Sequence, residues 1–206
     1  MKGARLASVL VTPFAIGLLT GLSLIVAIGA QNAYVLRQGV RREHVGVVVA
    51  ICALSDAVLI AAGTAGIGAL VSAHPGILTL LSWAGAAYLT WFALRSFLSA
   101  RRPQGLTQAA PRSHASVALT TLALTWLNPH VYLDTVLMLG NLAAQHGPQR
   151  WVFAGGAMVA SLVWFVGLGY GARRLAGPLG RPATWRVLDA SIGVVMLAIA
   201  ARLVLG

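Results

Sequence analysis

Long apolar stretches, separated by short clusters of arginine, run along the whole chain. A helix needs about 20 apolar residues to cross the ~30 Å hydrocarbon layer of a membrane. Six stretches are long enough, and they cover about 13–36, 45–71, 77–99, 115–140, 151–171 and 187–205. Only helices and closed barrels satisfy their backbone hydrogen bonds in lipid. The pattern therefore predicts an all-α integral membrane protein with six transmembrane helices.

The composition agrees with a membrane protein. Of the 206 residues, 58% are hydrophobic and 9% are charged, whereas a soluble domain carries about 25% charged residues. The net charge of +11 comes mostly from arginines between the apolar stretches, which indicates membrane topology and a lipid partner rather than nucleic acid. The single cysteine, Cys52, excludes an internal disulfide. No cofactor and no resident metal ion are predicted.

The distribution of basic residues predicts the orientation. Eleven of the fifteen lie in or beside the first, third and fifth loops, and four lie on the other side. Because lysine and arginine are retained on the cytoplasmic side, we expect these three loops to be cytoplasmic and both termini to lie outside. The first-loop residues are Arg37, Arg41 and Arg42, the third-loop residues Arg95, Arg101, Arg102 and Arg112, and the fifth-loop residues Arg173, Arg174, Arg181 and Arg186.

A basic linker at 100–114 divides the spans into two sets of three. An odd number of spans per half turns the second half upside down relative to the first. The pattern predicts a 3+3 inverted repeat within a single transmembrane transporter domain over 1–206. In such folds, substrates bind near the membrane midplane, where broken helices meet.

Asn128 and Pro129 interrupt the fourth span. Asn is a favoured N-cap and Pro is favoured at the first helical position, so the pair predicts a half-helix whose positive end suits a substrate carboxylate. A simple proline kink is the alternative. Gln31 and Asn32 in the first span are the candidate counterpart, either as substrate ligands or as caps of a distorted helix.

The chain has four acidic residues, and two of them lie deep in apolar stretches. Glu43 and Asp189 are predicted to form ion pairs near the interface, Asp189 with Arg186. Asp56 and Asp134 have no basic residue in their own spans, so a cationic substrate or a proton is the expected counterion. The alternative for each is a protonated carboxyl that hydrogen-bonds a neighbouring helix.

His130 is a candidate proton relay beside Asp134, and a local hydrogen bond is the alternative. Asp56 and Asp134 are the other candidates for proton coupling. The same acids, with His130 and Asn128, are also possible ligands of a divalent cation, although hard-cation sites usually gather more oxygen atoms. The chain lacks the glycine motif that an intramembrane aspartyl protease carries beside its catalytic acids. A channel is a further alternative to a transporter, and a homo-oligomer is a further alternative to a monomer.

Three motifs carry a family resemblance over nearly the whole chain. They are Gly29-Ala30-Gln31-Asn32-Ala33-Tyr34-Val35, Ala53-Leu54-Ser55-Asp56, and Leu124-Thr125-Trp126-Leu127-Asn128-Pro129-His130-Val131-Tyr132-Leu133-Asp134-Thr135. The chain resembles the lysine and arginine exporters of the LysE type, most of all their ArgO-like arginine exporter branch. The wider superfamily often has a proline-containing break in span one, which is absent here.

The resemblance implies a secondary transporter rather than an enzyme. Its expected activity is export of L-arginine, with L-lysine as a further substrate, across the bacterial inner membrane, and its inward-facing acidic positions map onto Asp56 and Asp134. Divalent-cation export by the same superfamily is the alternative.

Overall fold

The structure is a computed structural model that describes residues 2–26, 29–67, 75–101, 113–175 and 182–205. Within these ranges the chain is helical and has no strand, which confirms the all-α prediction. The helices are α1 (Lys2–Ile25), α2 (Ala30–Arg41), α3 (Val45–Thr64), α4 (Pro75–Arg101), α5 (His114–Trp126), α6 (Pro129–Tyr132), α7 (Gly140–Gln145), α8 (Arg150–Gly171) and α9 (Pro182–Leu205). A π-helix covers Leu133–Leu139, and 3-10 turns cover Gly147–Gln149 and Ala172–Leu175.

Two of the described helical segments are long and apolar enough to cross a membrane, Val45–Thr64 and Gly147–Gly171. Leu10–Ile25 and Ala30–Arg41 pass the same test only as a bent pair, which is the pattern of one broken span or of a re-entrant segment. The described residues thus contain two or three membrane-capable spans, and the six-span repeat stays a prediction.

Within the second predicted span, 45–71, α3 ends at Thr64, and residues 68–71 lie outside the described ranges. Gly66 follows with a positive φ of 99°, a conformation that glycine adopts without a steric penalty. Most of the predicted basic linker, 100–114, lies outside the described residues.

The first predicted span, 13–36, is two helices rather than one. α1 ends at Ile25 and α2 begins at Ala30, with Gly29 extended at φ −122° and ψ −179°. Extended backbone at Gly29 cannot continue a helix. The interruption falls where the sequence suggests a counterpart to the Asn-Pro break, and it forms without a proline.

The fourth predicted span, 115–140, is also interrupted. Leu127 and Asn128 leave the helical pattern, and α6 begins at Pro129, where the sequence predicts a helix start. Proline lacks a backbone N–H and clashes with the preceding turn, so α5 cannot run through it. The chain then winds as a π-helix over Leu133–Leu139, a form found frequently at functional sites.

The described contacts divide the chain into two compact units. The first contains Met1–Ala27, Cys52–Leu78 and His130–Phe165, and the second contains Ile28–Ile51, Thr79–Pro129 and Val166–Gly206. Each unit takes segments from both sides of the 100–114 linker. Neither unit is therefore one half of the sequence.

Glycines allow helices of the first unit to approach closely. A Cβ built on Gly21 of α1 would lie 3.0 Å from the Ala157 Cα of α8. A Cβ on Gly63 of α3 would lie 2.6 Å from the carbonyl oxygen of Val136 in the π-helix. The apolar core of this unit surrounds these crossings, and it comprises Ile60, Leu139, Ala143, Phe153, Ala154 and Ala157.

The second unit has a glycine crossing of the same kind. Gly39 of α2 faces the backbone of Gly169 in α8, and a Cβ on Gly39 would lie 2.7 Å from the Ala172 Cβ. In α9, a Cβ on Gly193 would lie 2.8 Å from the ring of Phe97. These contacts pack α2 against the end of α8, and α9 against α4.

Candidate functional site

Asp56 lies in the middle of α3 and is 3% exposed. The Ser161 hydroxyl of α8 donates a hydrogen bond of 2.7 Å to Asp56 Oδ2. Ser161 is itself fully buried. An ionised carboxylate in an apolar interior is costly unless it is paired and hydrogen-bonded. The Ser161 hydroxyl supplies one such hydrogen bond from a neighbouring helix, and this bond orients the Asp56 side chain.

Asp134 occupies the first turn of the π-helix, and 24% of its side chain is exposed. The His130 Nε2 atom of α6 lies 3.6 Å from Asp134 Oδ2, too far for a hydrogen bond and close enough for an ion pair when the imidazole is protonated. The four-residue spacing puts both side chains on one face of the helix. The structure thus brings two of the three predicted proton-coupling residues together.

The third such residue, Asp56, belongs to the same unit. Both Asp56 and Asp134 reside in segments without lysine or arginine. A carboxylate in such a segment attracts a cation. The first unit can therefore bind a positively charged group or a proton.

Buried threonines behave differently from Asp56. Their hydroxyls donate to the carbonyl four residues earlier in their own helix, as is common for hydroxyls in membrane helices. The pairs are Thr64 to Ile60 at 2.8 Å, Thr121 to Val117 at 2.8 Å, Thr125 to Thr121 at 3.0 Å, and Thr135 to Val131 at 2.6 Å. Those polar groups are satisfied locally, whereas Asp56 depends on a donor from another helix.

The remaining predicted site residues belong to the second unit. Gln31 and Asn32 are in the first turn of α2, both 9% exposed, and Asn128 precedes α6 with 8% exposed. Pro129 is the first residue of α6. The Gln31 Nε2 group is buried and has no hydrogen-bond partner among the described residues. The two helix starts therefore carry buried amides that can bind a ligand.

Asp189 pairs differently from the prediction. Instead of Arg186, the structure gives it Arg37 of α2, with 3.6 Å between Nη1 and Oδ1, and Ser99 of α4, whose hydroxyl donates to Oδ2 at 2.7 Å. Asp189 is 3% exposed. Asp189 thus links α9 to α2 and α4 within the second unit. Neither partner could be predicted from its position in the sequence. Ser161, the partner of Asp56, was missed for the same reason.

Within the ranges that the structure describes, no three His, Cys, Asp or Glu side chains come together in an arrangement that could hold a metal ion. The Ser161 hydroxyl contacts Asp56, and the His130 imidazole lies beside Asp134.

Interrupted helices with buried carboxylates, in a chain with membrane-capable helices, define the class as helical membrane proteins of the transporter kind. The comparisons identify the family within that class. The model of the LysE type translocator family matches residues 22–206, and the chain belongs to this family. The resemblance seen in the sequence motifs is confirmed.

Similar relatives cover nearly the whole chain. The lysine exporter LysE of Corynebacterium diphtheriae is 42% identical over 92% of this chain and 97% of the relative. The lysine exporter LysE of Corynebacterium glutamicum is 37% identical over 93% and 98%. The arginine exporter protein ArgO of Salmonella newport is 41% identical over 91% and 90%. No solved structure matches the chain significantly.

Proposed function

We propose that this protein is a secondary transporter that exports L-arginine, with L-lysine as a further substrate, from the bacterial cytoplasm. The carrying observation is the pair of acidic residues in the first unit, Asp56 held by Ser161 and Asp134 beside His130. Neither acid has a lysine or arginine in its own helical segment. Relatives named for lysine export and for arginine export support the same substrate class.

A basic amino acid has a cationic side chain and an α-carboxylate. In the first unit, Asp56 and Asp134 are the groups that attract a guanidinium or ammonium group. In the second unit, Gln31, Asn32, Asn128 and the helix start at Pro129 are the groups that suit an α-amino or α-carboxylate group. Helix starts suit a carboxylate, because their free N–H groups and positive dipole end point towards it.

Export of a cation requires an energy source. Carrying one positive charge out of a cell whose interior is negative costs ~2.3 kcal/mol per 100 mV. Exchange for an entering proton offsets that charge movement. In this mechanism Asp56 or Asp134 takes up a proton from outside, with His130 as relay, and releases it inside when arginine binds. Alternating access of the site to the two sides completes the cycle.

The proposed architecture is a single domain over 1–206 in the inner membrane, with six spans in a 3+3 inverted repeat and both termini outside. Two observations support the repeat. The first and fourth spans are both interrupted. Each unit also has a glycine–glycine contact among its crossings. Gly140 of the fourth span meets Gly63 of the second, and Gly39, three residues beyond the first predicted span, meets Gly169 of the fifth.

Efflux of labelled arginine from proteoliposomes tests the proposal. The flux should rise with an inward proton gradient, fall with lysine as competitor, and be unaffected by manganese or a neutral amino acid. Asp56→Asn and Asp134→Asn should abolish flux, while Glu43→Gln, which removes an acid that pairs with Arg41, should not. Competition by manganese would instead favour export of a divalent cation, and unchanged flux in both Asn variants would rule out the carboxylate mechanism.

A further inference from the structure

A cavity between α2, α4 and α5 is lined only by residues of the second unit. Its volume is about 450 Å³, within the usual range of small-molecule sites. Aromatic side chains form much of its wall, among them Tyr34, Tyr88 and Trp91. An apolar, aromatic wall with a few charged groups is the usual composition of a ligand site.

Two guanidinium groups line this cavity, and no acidic side chain does. Arg95 stacks over the Trp91 ring at 4.7 Å. In the part of the chain that the structure describes, no carboxylate lies within ion-pair distance of Arg95. The second guanidinium, Arg37, is 3.6 Å from Asp189, which lies outside the cavity lining. The cavity therefore carries excess positive charge and favours an anionic group.

The cavity wall also holds a buried donor. The Tyr34 hydroxyl is buried and has no hydrogen-bond partner among the described residues. Buried polar groups in native proteins are almost always hydrogen-bonded to protein, water or ligand. This hydroxyl is closed off from solvent, so a small movement of the Tyr34 side chain, which lines the cavity, lets it donate to an oxygen atom of a bound anion.

We propose that this cavity is a second binding site for the transported amino acid, in which Arg37, Arg95 and the Tyr34 hydroxyl hold its α-carboxylate. The carboxylate of the ligand then competes with Asp189 for Arg37. The inference rests on the proposed function for the identity of the amino acid. Under the proposed orientation, the loops that follow α2 and α4 are cytoplasmic, so this is the side from which an exporter takes its substrate.

The test separates this site from the acidic pair of the first unit. The background protein is Asp56→Asn/Asp134→Asn, reconstituted in nanodiscs and probed with labelled L-arginine and with agmatine, which has the guanidinium but lacks the carboxylate. L-arginine should still bind this protein, and agmatine at least tenfold more weakly. Adding Arg95→Gln should weaken L-arginine binding about tenfold, the effect of losing one charged hydrogen bond, and leave agmatine unchanged.

Two further variants sharpen the result. Tyr34→Phe should weaken L-arginine binding in the same direction by a smaller factor. Arg101→Gln is the matched control on α4, because Arg101 is exposed and does not line this cavity, and it should leave both ligands unaffected.

The failures are distinguishable. If the wild type shows no arginine flux, the proposed function is wrong. If the wild type transports arginine but the folded background protein binds none, or if Arg95→Gln leaves the arginine-to-agmatine ratio unchanged, only the second site is wrong. Loss of co-purified anionic lipid in Arg95→Gln, with that ratio unchanged, would assign the cavity to a lipid phosphate and overturn the proposal.

Discussion

Alanine at Gly140 tests whether a close helix crossing holds the acidic residues of the first unit in position. A Cβ built on Gly140 would lie 2.7 Å from the carbonyl oxygen of Gly63, 2.8 Å from its carbonyl carbon and 2.9 Å from its Cα. All three are backbone atoms, so no side-chain rotation relieves the contact. Because carbon atoms pack at about 3.5–4.0 Å, α3 and the start of α7 must separate by about 1 Å.

The expected stability change is the balance of two effects. Overpacking a tight contact costs about 1–3 kcal/mol. Gly140 already has helical angles, φ −61° and ψ −45°. Alanine at this position therefore stabilises the helix by about 0.5–1 kcal/mol relative to glycine. The net loss is between about 0 and 2.5 kcal/mol, with a midpoint of about 1 kcal/mol. Gly155→Ala in α8 is the matched control, since nothing lies within 4 Å of its Cβ, and it should be neutral or slightly stabilising.

Thermal unfolding of the purified proteins, followed by tryptophan fluorescence, measures the stability difference, and arginine efflux measures its functional consequence. Gly140→Ala should unfold at a lower temperature and transport more slowly. Gly140 directly follows the π-helix that carries Asp134, and Gly63 is about two turns from Asp56. Equal unfolding temperatures and equal flux for Gly140→Ala and Gly155→Ala would refute this reasoning.

Three further changes test individual contacts. Ser161→Ala should slow arginine efflux about tenfold or more, because it removes a hydrogen bond to Asp56 that is worth about 1.5–3 kcal/mol; initial efflux rates check it. His130→Gln should weaken the response of flux to an imposed pH gradient and leave downhill efflux measurable, since an amide does not take up or release a proton near neutral pH; paired assays with and without the gradient check it. Arg37→Gln should lower the unfolding temperature more than Arg37→Gln/Asp189→Asn, because the single change removes the charged partner of a buried carboxylate; scanning fluorimetry of both proteins checks it.

Each of these has a control and a contrary result. Ser23→Ala removes an exposed hydroxyl bonded within its own helix, and equal rates for Ser161→Ala and Ser23→Ala would contradict a role for the buried bond. The control His146→Gln replaces a histidine that stacks on an aromatic ring, Phe153, whereas His130 lies beside an acidic residue. If His146→Gln weakens the response to the pH gradient as much as His130→Gln does, His130 is not the proton relay. A single Arg37→Gln protein as stable as the double variant would contradict a structural ion pair.

Local chemistry explains what could be predicted from the sequence. The start of α6 at Pro129 follows from the missing N–H and the fixed φ of proline, which act within one turn. The four-residue spacing of His130 and Asp134 likewise puts them together on any helical backbone. The interruption at Gly29 could be located from its motif, although its extended geometry depends on the surrounding fold.

Partners that come from distant segments could not be predicted. Ser161 is 105 residues from Asp56, and Ser99 is 90 residues from Asp189. Which faces of two helices meet depends on their packing, and here glycine crossings such as Gly63 with Gly140 set the distance of approach. The expected pairing of Asp189 with its near neighbour in sequence was wrong because helix packing offered other partners.

The interruptions and the buried acid lie on two kinds of element. The first and fourth predicted spans are interrupted, at Gly29 and at Leu127 and Asn128. By contrast, α3 and α8 are continuous helices, and they carry the hydrogen bond between Asp56 and Ser161. Interrupted elements absorb backbone changes at a few residues, whereas continuous helices move as rigid bodies. In the proposed transport cycle, the two interruptions are therefore where the backbone is expected to change, while Asp56 stays held between two continuous helices.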